Sequence, residues 1–252
     1  MNDPYVVALL YKFVPEPTVD YSRAEPLNHE EKAFHLTVEG NEARFDMKGQ
    51  YATKEAAREA VEPFIRRWKF YARLQPVSRS FDLRFDRAHV EDRNPTPGVV
   101  AASAAPLSVE VAVGRASGTV HATRYPAPPT VTLAITADVK SACSRYLGYL
   151  AGEEPLPSMA YFCITVMKRA ARREGVSPTD RFRISRNVLR TAQRLASQMG
   201  GSQARKADAT EKELSAEESR SLEQAIRFII QRMAEVAADP DRHYSTITMS
   251  DL

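Results

Sequence analysis

Apolar and polar residues change rhythm along this chain, and each rhythm predicts an element. From Tyr5 to Val14, YVVALLYKFV is a run rich in β-branched and aromatic residues, and AFHLTVEGNEARFDMKG gives two more runs about Gly40-Asn41, a pair suited to a tight hairpin. SRSFDLRFDRAHV alternates strictly, with Phe81, Leu83 and Phe85 on one face and Asp82, Arg84 and Asp86 on the other, which predicts a strand between a core and water. Between these lies TKEAAREAVEPFIRRWKFYARLQ. Here Ala57, Ala60, Val61, Phe64, Ile65, Trp68, Tyr71 and Leu74 recur at helical spacing behind Thr53, a suitable N-cap, so an amphipathic helix should lie on the sheet. Pro63 removes a helical hydrogen bond and is expected to kink or split it. Trp68 is in register with the apolar side and reads as core, although Arg66, Arg67, Lys69 and Arg73 surround it.

EDRNPTPGVVAASAAPL lacks any period and reads as a long loop. LSVEVAVGR, GTVHATRY and TVTLAITA then read as three short strands. From about Asp138 the period becomes helical. ADVKSACSRYLGYLAGE and PLPSMAYFCITVMKRAARREG predict two helices, the second apolar nearly all round and therefore central to a bundle. RFRISRNVLRTAQRLASQMGG, residues 181 to 201, predicts a third, and after the polar GGSQARKADATEKE a fourth begins with a capping box at Ser215 and Glu218. Its buried stripe is Leu222, Ile226, Ile229, Ile230, Met233 and Val236, and Asp239-Pro240 stops it. The fold class is thus α+β: residues 1–136 form a β-rich part with one long helix, and residues 137–252 form a bundle of about four helices.

Cys143 and Cys163 are too few for a disulfide framework and lack metal-type spacing; both read as buried helix residues in a reducing cytosol. The apolar run near the amino terminus is about ten residues, short of the ~20 that span a bilayer, and no basic flank precedes it, so a soluble cytoplasmic protein is expected. No GxxxxGK[ST], GxGxxG, HExxH, GxSxG or CxxC occurs, and neither cofactor nor metal is expected. His29, His35, His89, His121 and His243 are far apart and read as structural. Glu153 and Glu154 read as a solvated loop pair at the positive end of the next helix.

Charge changes the picture more than composition does. Residues 1–136 hold 17 basic and 17 acidic side chains, residues 153–206 hold 11 basic against 4 acidic, and residues 207–252 hold 5 basic against 10 acidic. Inside the basic block Arg186, Arg190 and Arg194 stand at steps of four on one helical side, each able to grip phosphate oxygens with two parallel N–H donors. Arg181, Arg183 and the arginines that end the preceding helix extend this ladder, Arg205 and Lys206 add to its field, and Asn187 adds an amide. Two uses compete: docking of an anionic partner, or pairing with Glu217, Glu218 and Glu223 of the last helix.

The order of bundle helices, led by YLGYLAGEEPLPSMAYFCITVMKR, and the pair Arg186-Asn187 in the third helix resemble the HEPN superfamily of prokaryotic helical proteins over roughly residues 137 to 238. In that family an Arg with a polar neighbour and a His a few residues further on forms a ribonuclease site across a dimer. Here Thr191, Ala192 and Gln193 stand where the histidine is expected. The resemblance therefore implies a noncatalytic member that scaffolds, binds RNA or senses a partner, within a bacterial stress or antiviral system. The leading expectation is a binding protein whose basic bundle face docks RNA or an acidic protein, acting as a homodimer or within a larger complex and away from membranes. An endoribonuclease, with His243 folding back towards Arg186, and a homo-oligomeric structural module are the alternatives.

Overall fold

The structure is a computed structural model that describes residues 3–75, 81–94, 120–198 and 213–252. It is α+β, with strands and one helix first and helices after. Two compact units are present: Met1–Arg73 with Val77–Pro128, and Leu74–Pro76 with Pro129–Leu252.

The first unit is built on the strands β1 (Pro4–Pro15), β2 (Val19–Asp20), β3 (Leu27–Glu30), β4 (Phe34–Glu39), β5 (Glu42–Tyr51), β6 (Phe81–Asp92) and β7 (Val120–His121), with α1 (Lys54–Arg73) between β5 and β6. Five strands form one antiparallel sheet in the order β3-β4-β5-β1-β6. The hairpin of β4 and β5 turns at Gly40, whose φ of 57° is a left-handed conformation that glycine accepts without strain. Two register shifts decide which residues face the core. β1 shifts between Val6 and Ala8, so that Val6 and then Leu9, Tyr11 and Phe13 point inward. On β6, Asp86 is the extra residue opposite the Leu10–Tyr11 step, and the inward series Phe81, Leu83, Phe85 resumes at Ala88.

Thr53 caps α1, its hydroxyl accepting the Ala56 N–H at 3.1 Å. Ala57, Val61, Phe64, Ile65, Trp68 and Ala72 are buried in the core beside the sheet. Of the two expected effects of Pro63 the split does not occur; the proline lies inside one continuous element. Both Pro63 and Glu59, whose carbonyl loses its helical partner, are exposed, so water accepts what the proline gives up. Trp68 is completely buried, lies tilted against Phe81 with ring centroids 4.7 Å apart and donates its indole N–H to the Pro126 carbonyl at 2.9 Å. Parallel pairing of β2 with β7 brings Tyr21 and Tyr125 into a stacked pair at 5.1 Å that closes the same aromatic cluster.

The expected later strands are corrected. Among its described residues GTVHATRY supplies only β7, and TVTLAITA forms no strand. Leu133 is buried and the Ala134 N–H reaches the Ala234 carbonyl at 2.9 Å, so this apolar stretch satisfies itself against a helix rather than a ladder. LSVEVAVGR and the loop beyond Asn94 lie outside the described residues.

The second unit holds α2 (Ala137–Leu150), α3 (Leu156–Arg173), α4 (Pro178–Phe182), α5 (Arg186–Gln198) and α6 (Ala216–Ala238). The apolar α3 is central, in contact with the other four. Cys143 and Cys163 are free and buried, and burial pushes the Cys163 thiol up to about 12. The capping box of Ser215 and Glu218 opens α6, and the whole predicted stripe is buried. Among the described residues no helix is long and apolar enough to cross a membrane.

Candidate anion-binding face

The ladder helix starts later than its sequence period suggests. Ser177 caps the short α4, accepting the Asp180 N–H at 3.1 Å. Arg183 follows in the left-handed conformation, with φ and ψ both 49°. The left-handed turn at Arg183 ends one helix before Ser185 begins the next, its hydroxyl accepting the Val188 N–H at 3.3 Å. Arg181 and Arg183 therefore stand before α5 and not on it; Arg181 is turned to Glu174, with Nε 2.7 Å from Oε2, and does not extend the ladder as expected, while Arg183 is exposed beside its start.

On α5 itself Val188, Leu189, Ala192, Leu195 and Ala196 are buried, and Arg186, Asn187, Arg190 and Arg194 are exposed. Four residues of α-helix rise about 6 Å, so the three guanidinium groups rise from points spread over about 12 Å of axis. Among the described residues Arg186 has no hydrogen-bond or ion-pair partner, and Arg190 touches only the Asn187 Oδ1, at 3.0 Å. Arg194 reaches Glu218 at 4.0 Å, the outer limit of an ion pair. The neighbouring helix adds charge: Lys168 donates to the Gln193 Oε1 at 2.5 Å, and desolvation first, then Arg172 beside it, lowers its pKa.

Two further arginines of the basic block share one carboxylate. Arg169 and Arg173 both grip Asp138, at 2.9 and 2.8 Å. Among the described residues the expected pairing of the ladder with the acidic last helix rests on the long Arg194–Glu218 contact. Glu218 spends its other oxygen on the Ser215 N–H, and Glu223 accepts the hydroxyls of Tyr146 and Tyr149 at 3.1 and 3.2 Å. Lys168, Arg172, Arg183, Arg186 and Arg190 are left without a carboxylate among the described residues. Arg205 and Lys206 lie outside those residues.

Helix polarity sharpens the point. The first turn of α5 carries no acidic residue and begins with an arginine, where the helix dipole favours an anion. Such an arrangement costs about 0.3–1 kcal/mol that an acidic residue would recover, and an incoming anion relieves it.

Other constellations lack a complete set of parts. Ser22 Oγ donates to Asp20 Oδ2 at 2.7 Å, and His121 Nδ1 lies 3.0 Å from the same oxygen. The hydroxyl thus points at the carboxylate instead of a base. His35 and His29 sit beside Glu30 and Glu31 on the sheet. Glu153 is exposed as expected, but Glu154 is only partly exposed and pairs with Arg145 at 2.5 Å, correcting the picture of a solvated pair. Among the described residues no group of three His, Cys, Asp or Glu side chains could hold a metal ion.

One functional-looking residue escaped the pattern entirely. Arg232 sits within the buried stripe of α6, its side chain 9% exposed, and donates to the carbonyls of Phe182 at 3.1 Å and Ser245 at 2.9 Å and to the Glu235 carboxylate at 2.9 Å. The only signal was an arginine amid Ile229, Ile230 and Met233 with a glutamate three residues on. The tail does return to the start of α5, but Ile247, not His243, lies there: the Ile247 N–H donates to the Arg183 carbonyl at 2.8 Å and the Ser185 N–H to the Ile247 carbonyl at 2.9 Å.

Comparison of the chain with family models, with curated proteins and with solved structures finds no match.

Proposed function

We propose that the exposed side of α5, with the end of α3 beside it, docks the phosphate backbone of RNA without cleaving it. The observation that carries this reading is that Arg186 and Arg190 are exposed and have no carboxylate of their own among the described residues. Guanidinium groups stepped along one helix suit a ligand whose charges are themselves stepped along a strand, and each phosphate they neutralise releases counterions. A lone acidic side chain on a partner protein satisfies one such group; a polyanion satisfies the row. Arg186, Asn187, Arg190 and Arg194 are the central contacts, Arg183, Lys168 and Arg172 flank them, and Arg205 and Lys206 belong to the same basic block.

The resemblance of residues 137 to 238 to the HEPN superfamily is part of this proposal. With Thr191, Ala192 and Gln193 where a histidine would stand, Arg186 keeps charge stabilisation and binding while proton transfer, typically about 10² to 10⁴ in rate, is lost. A role as a docking or scaffolding module in RNA-directed stress or antiviral defence follows from that likeness.

Filter binding with single-stranded RNA tests it. RNA should be retained at low salt, with the logarithm of the binding constant falling by about 0.7 per contact per decade of salt, and Arg186→Ala should weaken retention. No retention at low salt ends the RNA reading. Retention of polyglutamate instead of RNA moves the face to an acidic protein, and cleavage of the RNA that Arg186→Ala abolishes moves it to an endoribonuclease.

A further inference from the structure

The basic face is presented by a turn that its own segment does not hold. Arg183 is the one non-glycine among the described residues with a positive φ, and a bulky side chain in that conformation is disfavoured unless its surroundings enforce it. What surrounds it comes from the far end of the chain. Arg232 of α6 aims one nitrogen, Nη1, at the carbonyls of Phe182, Arg183 and Ser245, at 3.1, 3.4 and 2.9 Å, while its Nε is tied to Glu235. The tail that supplies Ser245 is fixed in turn: the Tyr244 hydroxyl donates to the Glu235 and Asp239 carbonyls, Ile247 is buried and bridges to Ile184, and Gln224 holds the Asp251 carbonyl at 2.6 Å. A buried guanidinium that bonds to carbonyls on both sides of a cleft behaves as a clamp, because its planar donors fix direction as well as distance.

We propose that Arg232 and the carboxyl-terminal strap around Ile247 are positioning elements for the anion-binding face, holding the Arg183 turn and the first turn of α5 in the geometry that aims Arg183 and Arg186 outward. The inference rests on the docking reading above for its consequence, but not for its geometry. Neither Arg232 nor Ile247 touches the anion: Arg232 is buried, and Ile247 faces Ile184. The strap makes affinity at α5 depend on a segment more than fifty residues further along the sequence.

Two variants of the full chain test this, read by amide hydrogen exchange and by RNA binding. Ile247→Pro removes the N–H that bonds to the Arg183 carbonyl while leaving the α6 core untouched. Arg232→Met combined with Glu235→Gln removes the clamp without stranding a buried carboxylate. Both should raise exchange at Ser185 and through residues 183–190 by at least tenfold and weaken RNA binding several-fold, with exchange protection across the middle of α6 unchanged in Ile247→Pro. Unaltered exchange at 183–190 in both variants overturns the proposal, as does full RNA affinity in both when Arg186→Ala has lost it. If the parent protein binds no RNA, the docking reading fails by itself, and the exchange data still decide whether the strap holds the turn.

Discussion

In the sheet unit Arg44 lies 2.7 Å from Asp46, Lys69 2.5 Å from Asp82 and Arg87 2.6 Å from Asp86, whereas in the bundle unit, among the described residues, Arg186 meets no acid and Arg190 meets only an amide. The same side chains are thus used in two ways. Along the β strands, acids and bases alternate on the watered face and neighbouring positions bring opposite charges together. Along α5 every fourth residue repeats a cation, and no acid on that helix stands within reach. Since isolated surface pairs contribute only about 0–1 kcal/mol, the sheet unit gains little from its pairing and the bundle loses little by omitting it. The cost is small enough for an external partner to repay.

The comparison breaks most severely at the core of the sheet unit. Trp68→Ala removes a fully buried ring and its hydrogen bond to Pro126, and should destabilise that unit by about 3–5 kcal/mol. Urea unfolding followed by circular dichroism should show an early transition while RNA binding by the bundle persists. Loss of RNA binding with the sheet unit would show that binding by the bundle depends on that unit.

Replacing Arg186, Arg190 and Arg194 together by Ala should reduce the salt slope of RNA binding by about 2 while stability moves by no more than about 0.5 kcal/mol per site, because all three are exposed. Equal triple replacement at Arg44, Arg84 and Arg87 of the sheet should leave the slope alone. An unchanged slope in the first variant would erase the distinction between the two surfaces.

A smaller effect comes from pH. Lys69 beside Asp82 holds that carboxyl below its ordinary value of 3.8, so the stabilisation it brings is present above that pH and is lost as pH falls through the lowered value. Trp68 is the only tryptophan and reports on the sheet unit alone. The urea midpoint read by its fluorescence should fall below about pH 4, and Asp82→Asn should flatten that fall slightly. An identical acid profile in the variant would remove Asp82 from the account.

Much of this division is visible in the residues themselves. The alternation of SFDLRFD, the Gly40 turn, the apolar all-round α3 and the capping box at Ser215 are each written in one continuous stretch of sequence, and each is realised. What the sequence conceals is non-local. TVTLAITA has the composition of a strand, yet pairing needs a neighbour with a free edge, and this stretch meets α6 instead. The bulge at Asp86 is visible only once β6 is paired with β1. Arg232 looks like any surface arginine until the Arg183 turn and the tail, both distant in sequence, bring their carbonyls to it. For the same reason the exposure of the ladder could be inferred from its period, but not that Glu223 turns to two tyrosines of another helix, nor that Arg194 alone of the ladder comes within ion-pair distance of Glu218 among the described residues.

The exchange of Arg186 for glutamate puts the central claim under the most direct test. An acid in the first turn of α5 complements the helix dipole, so thermal unfolding of the bundle should show a gain of about 0.3–1 kcal/mol. The same variant, titrated against labelled single-stranded RNA at low salt, should bind at least tenfold more weakly than the parent. Opposite movements of stability and affinity are the predicted result; RNA affinity equal to that of the parent would contradict the docking role of this face.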